Sequence, residues 1–303
     1  MTTRRQFITT GTGALAGLGL SRGAEEDSKG WIDAHVHLWP KETKQYLVAK
    51  GYDKSGLRAG FTAEDLFAEC RPQGVSRIVL IQMSFYQFDN SYMLHVMSKH
   101  KGVFAGVAII DENAPSLARR MRKMRARGVR GFRVYANAKN ASAWKDSKAM
   151  HAMWREAAKN GQSICCLADP DALSAITRLC RKHPETPVVI DHFARIGMRG
   201  PVDQDQLDQL LKLADFKHVT VKTSAFYALG AKKAPYMDLG PMIRQLRNAF
   251  GAKRLMWASD CPFQVEGGHT YRDSIALIRD RLDFLTTEDK EWMLRKTAER
   301  VFF

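Results

Sequence analysis

Within Trp31-Ile-Asp-Ala-His35-Val-His37, two histidines stand one residue apart at the end of an apolar run. A strand repeats every two residues, so His35 and His37 leave one face and can converge on one metal ion or one substrate atom. Far downstream, Asp260 follows the apolar run Leu255-Met-Trp-Ala and precedes Pro262. A carboxylate placed there, facing the histidines, can take a proton from water, free or metal-bound, and hand it to a leaving group, which makes Asp260 the candidate general base. His192 stands between Asp191 and Arg195 and can polarise a carbonyl or supply a further metal ligand. Arg133, Arg195, Lys139 and Lys222 complete the set. A guanidinium matches a carboxylate with two hydrogen bonds and an ammonium gives a point charge, so cations around a hydrolytic centre select an anionic substrate. Tyr86, Tyr135 and Tyr227 can line an aromatic or hydroxyl-binding wall.

These residues need elements that bring them together. From Trp31 onward, short β-rich runs alternate with amphipathic segments. The expected strands are Trp31–Ala34, Arg77–Gln82, Val103–Ile110, Val129–Val134, Ser163–Leu167, Val188–Ile190, Val219–Lys222 and Leu255–Ala258. Between them lie helices, the first opening with the capping-box pattern Thr62-Ala-Glu-Asp65. Eight strands alternating with helices over residues 30–303 predict one α/β domain, a (β/α)8 TIM barrel. The polar residues decide against an open doubly wound sheet. His35 and His37, Arg133, Asp191-His192, Lys222 and Asp260 fall at the C-terminal ends of five different strands. A barrel gathers those ends into one ring, whereas an open sheet strings them along an edge. The segment from Thr287 to Phe303 reads as a capped helix closing the barrel, anchored by Trp292 and Phe302.

Residues 1–29 read as an address and a short linker. Thr3-Arg4-Arg5-Gln6-Phe7-Ile8, followed by the small apolar run from Thr9 to Leu20, has the pattern of a twin-arginine export signal, with small residues for cleavage at Ser21-x-Gly23. The apolar run is shorter than the ~20 residues of a membrane-spanning helix. The expected location is therefore outside the bacterial inner membrane, with membrane contact only through the signal. The chain carries a formal charge of +15; residues 1–23 hold Arg4, Arg5 and Arg22 and no acid, so +12 remains without them. That balance suits an anionic small molecule. The densest basic run, Arg119 to Arg127, interleaves with Leu117, Met121 and Met124 at helical spacing, which predicts a solvated helix face, and no nucleic-acid partner is expected. Five irregularly spaced cysteines give no disulfide scaffold. Cys165 and Cys166 read as buried thiols, one of them a candidate metal ligand. No dinucleotide, phosphate-loop or serine-hydrolase motif occurs, and no organic cofactor is expected.

His35-x-His37 at the first strand, His192 at the sixth and Trp257-Ala-Ser-Asp260-Cys-Pro262 at the eighth resemble the amidohydrolase superfamily of TIM-barrel hydrolases. Asp191-His192-Phe-Ala-Arg195, Gly128-Val-Arg-Gly-Phe-Arg133 and Val221-Lys222-x-Ser224 look like the branch containing 2-pyrone-4,6-dicarboxylate lactonase and the fuconolactone and sulfomuconolactone hydrolases. The resemblance implies a hydrolase that opens a lactone or related ester of a small anionic or sugar-acid substrate. It also implies a metal site of His35, His37 and Asp260, with His192, a thiol or solvent as fourth ligand. Many family members place a metal-binding histidine at the fifth strand, but here that segment reads Gln162-Ser-Ile-Cys165-Cys166-Leu167-Ala-Asp169. One weakly held zinc or manganese ion is therefore expected rather than a binuclear centre. At the seventh strand Ser224-Ala-Phe-Tyr227 stands where the pyrone lactonases suggest an arginine, which argues against a dicarboxylate. Two other functions compete: a metal-dependent, non-oxidative decarboxylase of an aromatic or muconate-type acid, which usually retains the fifth-strand histidine, and a catalytically silent exported barrel that binds an acidic glycan.

Overall fold

Each of the eight expected β-rich runs forms a strand in the computed structural model, which describes residues 30–41, 44–52 and 57–303. The strands are β1 (Trp31–Val36), β2 (Val75–Ile81), β3 (Phe104–Ala108), β4 (Val129–Ala136), β5 (Ser163–Ala168), β6 (Val188–Ile190), β7 (Val219–Ser224) and β8 (Leu255–Ala258). All are parallel, and each pairs with the next in chain order. The seam is closed by β1 and the segment after β8. Val36 bridges Cys261, the Asp260 N–H donates to the His35 carbonyl at 2.9 Å, and the His37 N–H donates to the Cys261 carbonyl at 2.8 Å. The architecture is a single-domain (β/α)8 barrel.

Strands β6 and β8 have the limits expected from sequence, whereas β1, β4 and β7 run two residues further. Their extra residues include His35 and Ser224, polar side chains that find partners inside the barrel mouth, so polarity does not end the ladder. Between Asp33 and Val36, β1 spends three steps where β2 spends two. This bulge turns His35 inward directly after the inward-facing Ala34.

Helices cover the outside: α1 (Ala63–Cys70), α2 (Ser91–Lys99), α3 (Leu117–Ala126), α4 (Lys148–Asn160), α5 (Leu173–Lys182), α6 (Gln204–Leu211), α7 (Gly240–Phe250) and α8 (Tyr271–Ala276). Thr62 and Asp65 form the expected reciprocal cap of α1. In α3, Leu117 and Met121 are buried while Arg119, Arg120, Arg122 and Arg125 face solvent. No helix among the described residues is long and apolar enough to cross a membrane.

The barrel interior is packed with Ile32, Ala34, Val79, Ile81, Ala105, Val107, Cys165, Val189, Met256 and Ala258. From below it is closed by the last helix, Thr297–Phe302, whose Ala298 and Phe302 belong to the same cluster. Phe302 is the expected anchor, and its ring lies 5.5 Å under the Lys222 ammonium. Trp292, the other expected anchor, packs outside against the larger helix–sheet core. All five cysteines are free and buried. The proposed export signal lies outside the described residues.

Candidate active site

The strand ends converge as the alternation requires. His35 Nε2 and His37 Nε2 are 3.3 Å apart, and Asp260 Oδ1 lies 3.5 Å from the first and 3.4 Å from the second. His192 Nε2 is 3.8 Å from the same oxygen. Asp260 Oδ2 accepts a 2.7 Å hydrogen bond from the Tyr227 hydroxyl, while its buried Oδ1 has no hydrogen-bond partner. Burial opposes charge on Asp260, but the surrounding imidazoles of His192, His37 and His35 outweigh it and hold the carboxyl well below the usual carboxylate range. Burial lowers His192 to about 4 and, with the neighbouring Lys222, holds His35 well below the usual imidazole range, which leaves both imidazoles neutral near pH 7.

Hydrogen bonds assign the protons on these rings. His37 donates from Nδ1 to the Ile81 carbonyl at 2.8 Å, so its Nε2 lone pair faces the cavity. His35 meets a cation on each side: Lys222 Nζ at 3.1 Å from Nδ1 and Arg133 Nη2 at 3.2 Å from Nε2. A neutral imidazole has one lone pair and accepts from one of them. With Lys222 as donor, the His35 N–H points from Nε2 toward Asp260; with Arg133 as donor, it points from Nδ1 toward Asp191, 3.5 Å away.

Beneath this layer Asp191 holds the cations in place. Its Oδ1 is 3.0 Å from Lys222 Nζ and its Oδ2 is 3.6 Å from Arg133 Nε. Burial raises the cost of its charge, yet Lys222, His35 and Arg133 more than compensate and keep the carboxyl well below its ordinary value. Lys222 is completely buried between Asp191, His35 and Phe302. The sequence reading expected Lys222 to reach substrate; buried here, it supports His35 from below instead. Lys139 also stays away, exposed on the short helical turn Ala138–Ala141. Of the four expected cations, Arg133 and Arg195 line the cavity.

That cavity, of about 280 Å3, opens at the C-terminal ends of the strands. Its floor carries His37, His192, Asp260, Tyr227 and Arg133, and Met83, Leu167, Leu229 and Phe263 form much of its wall. Tyr135 lines it, whereas Tyr86 is buried behind it with Trp39, Met83 and Phe85.

Two features were not assigned from sequence. Asp33, fully buried in β1, accepts from the His35 N–H at 3.1 Å and the Ser259 N–H at 2.9 Å through Oδ1, and from the Tyr271 hydroxyl at 2.7 Å through Oδ2. Burial pushes its carboxyl up to about 6. Asp33 thus ties β1 to the segment carrying Asp260, and its signal was an acid inside an otherwise apolar strand, which burial permits only with partners. The second is the turn after β6, where His192, Phe193, Ala194 and Arg195 have φ of 50°, 52°, 54° and 59°. Four consecutive non-glycine residues in the left-handed region cost roughly 1–2 kcal/mol each. The surroundings impose them: His192 Nδ1 meets Ser224 Oγ at 2.8 Å, Phe193 and Ala194 are fully buried, and Arg195 is ion-paired with Asp169.

The spacing suits a metal ion. A tetrahedral centre with ligand bonds near 2.1 Å has edges of about 3.4 Å, matching the triangle of His35, His37 and Asp260. His35, Asp191 and His192 form a second cluster with ligand atoms within 4.8 Å of one another. Cys165 and Cys166 belong to neither, and burial raises the Cys165 thiol to about 12, so it stays protonated.

The chain belongs to the amidohydrolase family, matching it over residues 32–303. It is 27% identical over 235 residues to a 4-sulfomuconolactone hydrolase of Rhizobium radiobacter, covering 77% of this chain and 76% of that protein. It is also 27% identical over 246 residues to an L-fucono-1,5-lactonase of Burkholderia ambifaria, covering 78% and 82% respectively. Among solved structures, a probable 2-pyrone-4,6-dicarboxylic acid hydrolase from Acinetobacter baumannii with citric acid bound superposes with a TM-score of 0.78 at 20% identity, covering 90% of this chain and 99% of that one.

Proposed function

We propose that this protein is a hydrolase that opens a lactone or related ester of a small anionic or sugar-acid substrate. The observation that carries the proposal is Asp260, an ionised carboxylate with one oxygen fixed by Tyr227 and the other buried, unpartnered and turned toward three imidazoles. Such an oxygen removes a proton from water as the water attacks a carbonyl, and returns it to the leaving alkoxide. His37 and His192 lie beside the charge that develops, and Arg133, which lines the cavity, holds the acid group of the substrate. The two lactone-hydrolase relatives support this reading. Decarboxylation is less supported, because the fifth strand offers buried protonated thiols where those enzymes usually keep a metal-binding histidine.

His35, His37 and Asp260 would hold one divalent ion, zinc or manganese, with His192 adjacent. When bound, such an ion acidifies water and polarises a carbonyl oxygen. Weak holding follows from His35: binding through Nε2 requires the proton on Nδ1, facing the Lys222 ammonium, and places a second cation beside Arg133. The export reading remains part of the proposal: residues 1–30 direct a reporter through the twin-arginine route, and Arg4→Lys with Arg5→Lys stops it.

The test is acid release from a panel of lactones alongside decarboxylation of aromatic acids, with elemental analysis of the same preparation. Lactone opening with substoichiometric metal is expected. Carbon dioxide release without lactone opening would overturn the reaction, and stoichiometric zinc that survives a chelator would overturn weak binding.

A further inference from the structure

Beside the cavity just described lies a second one of about 350 Å3, and the two share Arg195 and Met198 as a common wall. The left-handed turn after β6 sets this relation. One end puts His192 in the first cavity, and the other puts Arg195 on the partition, where Asp169 anchors one terminal nitrogen and the buried Nε is left without a partner. Met198 on the same partition is 42% exposed and unbranched, and it yields easily.

We propose that the second cavity is a subsite of the same active site, holding an uncharged, polyhydroxylated arm of the substrate such as a sugar residue. The proposal rests on the lactone-opening reading and adds to it that the substrate extends past the partition. Charge favours an uncharged arm over an anionic one: the walls carry Asp169, Asp171 and Asp203 against Arg195 and Arg199. The acids are already oriented, Asp169 by Arg195, Asp171 by the Ala138 N–H and Asp203 by the Gln206 N–H at the start of α6. Their remaining lone pairs accept from hydroxyls, while Arg199 and the Gln206 amide donate to them. Pro170, Pro201 and Met198 supply apolar surface for the C–H face of a ring.

Gly200 allows a clean test. It lines the second cavity but not the first, a Cβ there meets no atom within 4 Å, and its φ lies outside the left-handed region. Gly200→Trp therefore adds bulk at the wall of the subsite without disturbing the catalytic floor. Binding of gluconate and cellobionate, ring-opened acids that differ by one sugar, is measured by calorimetry on wild type, Gly200→Trp and the milder Gln206→Ala. Rates on glucono-1,5-lactone and cellobiono-1,5-lactone are measured in parallel. Wild type is expected to bind cellobionate about tenfold more tightly than gluconate. Gly200→Trp should remove that preference with gluconate unchanged, and Gln206→Ala should reduce it. Equal binding of the two acids, no binding of cellobionate, or an equal loss of both in Gly200→Trp overturns the subsite. If the binding preference holds but neither lactone is opened, the subsite stands and the lactone reading fails for neutral sugar-acid lactones.

Discussion

At the β1–β8 seam, His35, His37 and Asp260 are positioned by hydrogen bonds, from strand to strand and through Asp33, and only Asp260 among them has a left-handed backbone, at φ 66°. After β6, by contrast, His192 and Arg195 are positioned by four successive left-handed residues whose own conformational preference opposes the arrangement. The seam is stable because of its local interactions, whereas the turn is stable in spite of its backbone, held by burial in the middle and polar ties at both ends. Cutting a tie in the seam should therefore cost stability and activity together. Relaxing the turn should separate them.

The largest effect is expected where both regions meet the reaction. Asp260→Asn preserves shape but removes the proton acceptor, and kcat should fall by about 10²–10⁴ with little change in melting temperature. Turnover near wild type would make Asp260 a structural residue. Next comes the tie between the regions, Lys222, which contacts His35 on one side and Asp191 on the other. Lys222→Met leaves a buried carboxylate with Arg133 as its remaining cation at 3.6 Å, and stability should drop by about 3–5 kcal/mol in urea unfolding. A loss below 1 kcal/mol would mean that Arg133 alone balances Asp191.

Within the seam, Tyr271→Phe removes the donor to Asp33 Oδ2 without changing the packing of the ring. It should cost about 1–3 kcal/mol and lower kcat, because Asp33 also accepts from the His35 backbone. Unchanged kcat alongside lost stability would confine Asp33 to the scaffold. The smallest effect distinguishes the two regions by sign. Ala34→Gly, in the extended strand β1, should reduce stability by about 1–2 kcal/mol, since glycine loses more freedom in a strand and a buried methyl is removed. Ala194→Gly relieves a left-handed residue, which offsets the same lost methyl, so stability should hold or rise by less than about 1 kcal/mol while KM worsens as Arg195 loosens. Equal losses in both variants would show that the turn is not strained.

Much of this was legible in the chain. Strand and helix alternation places His35, His37, His192, Arg133 and Asp260 at strand ends, and a barrel brings strand ends together whatever the details of register. Lys222 was legible as a cation at a strand end but not as a buried one, because depth depends on Phe302, which arrives from the other end of the chain. Lys139 misled because position after a strand does not say which way a loop turns. Asp33 was hidden in plain sight among apolar neighbours, its partners lying more than two hundred residues away at Ser259 and Tyr271. The left-handed turn had no signal at all, since none of its four residues is a glycine.

Phe302 places a late segment of the chain directly under the first catalytic strand. The β1–β8 seam can close only once β8 is in place, and even then the bottom of the barrel is open until Thr297–Phe302 packs beneath it. Until that moment water has access to Lys222 and Asp191 from below, and nothing yet compels their charges to pair. The chemical setting of His35 is therefore among the last things the growing polypeptide acquires. Without Thr297–Phe302 the eight strands would keep their order, but Lys222 and Asp191 would lose the apolar cover beneath them.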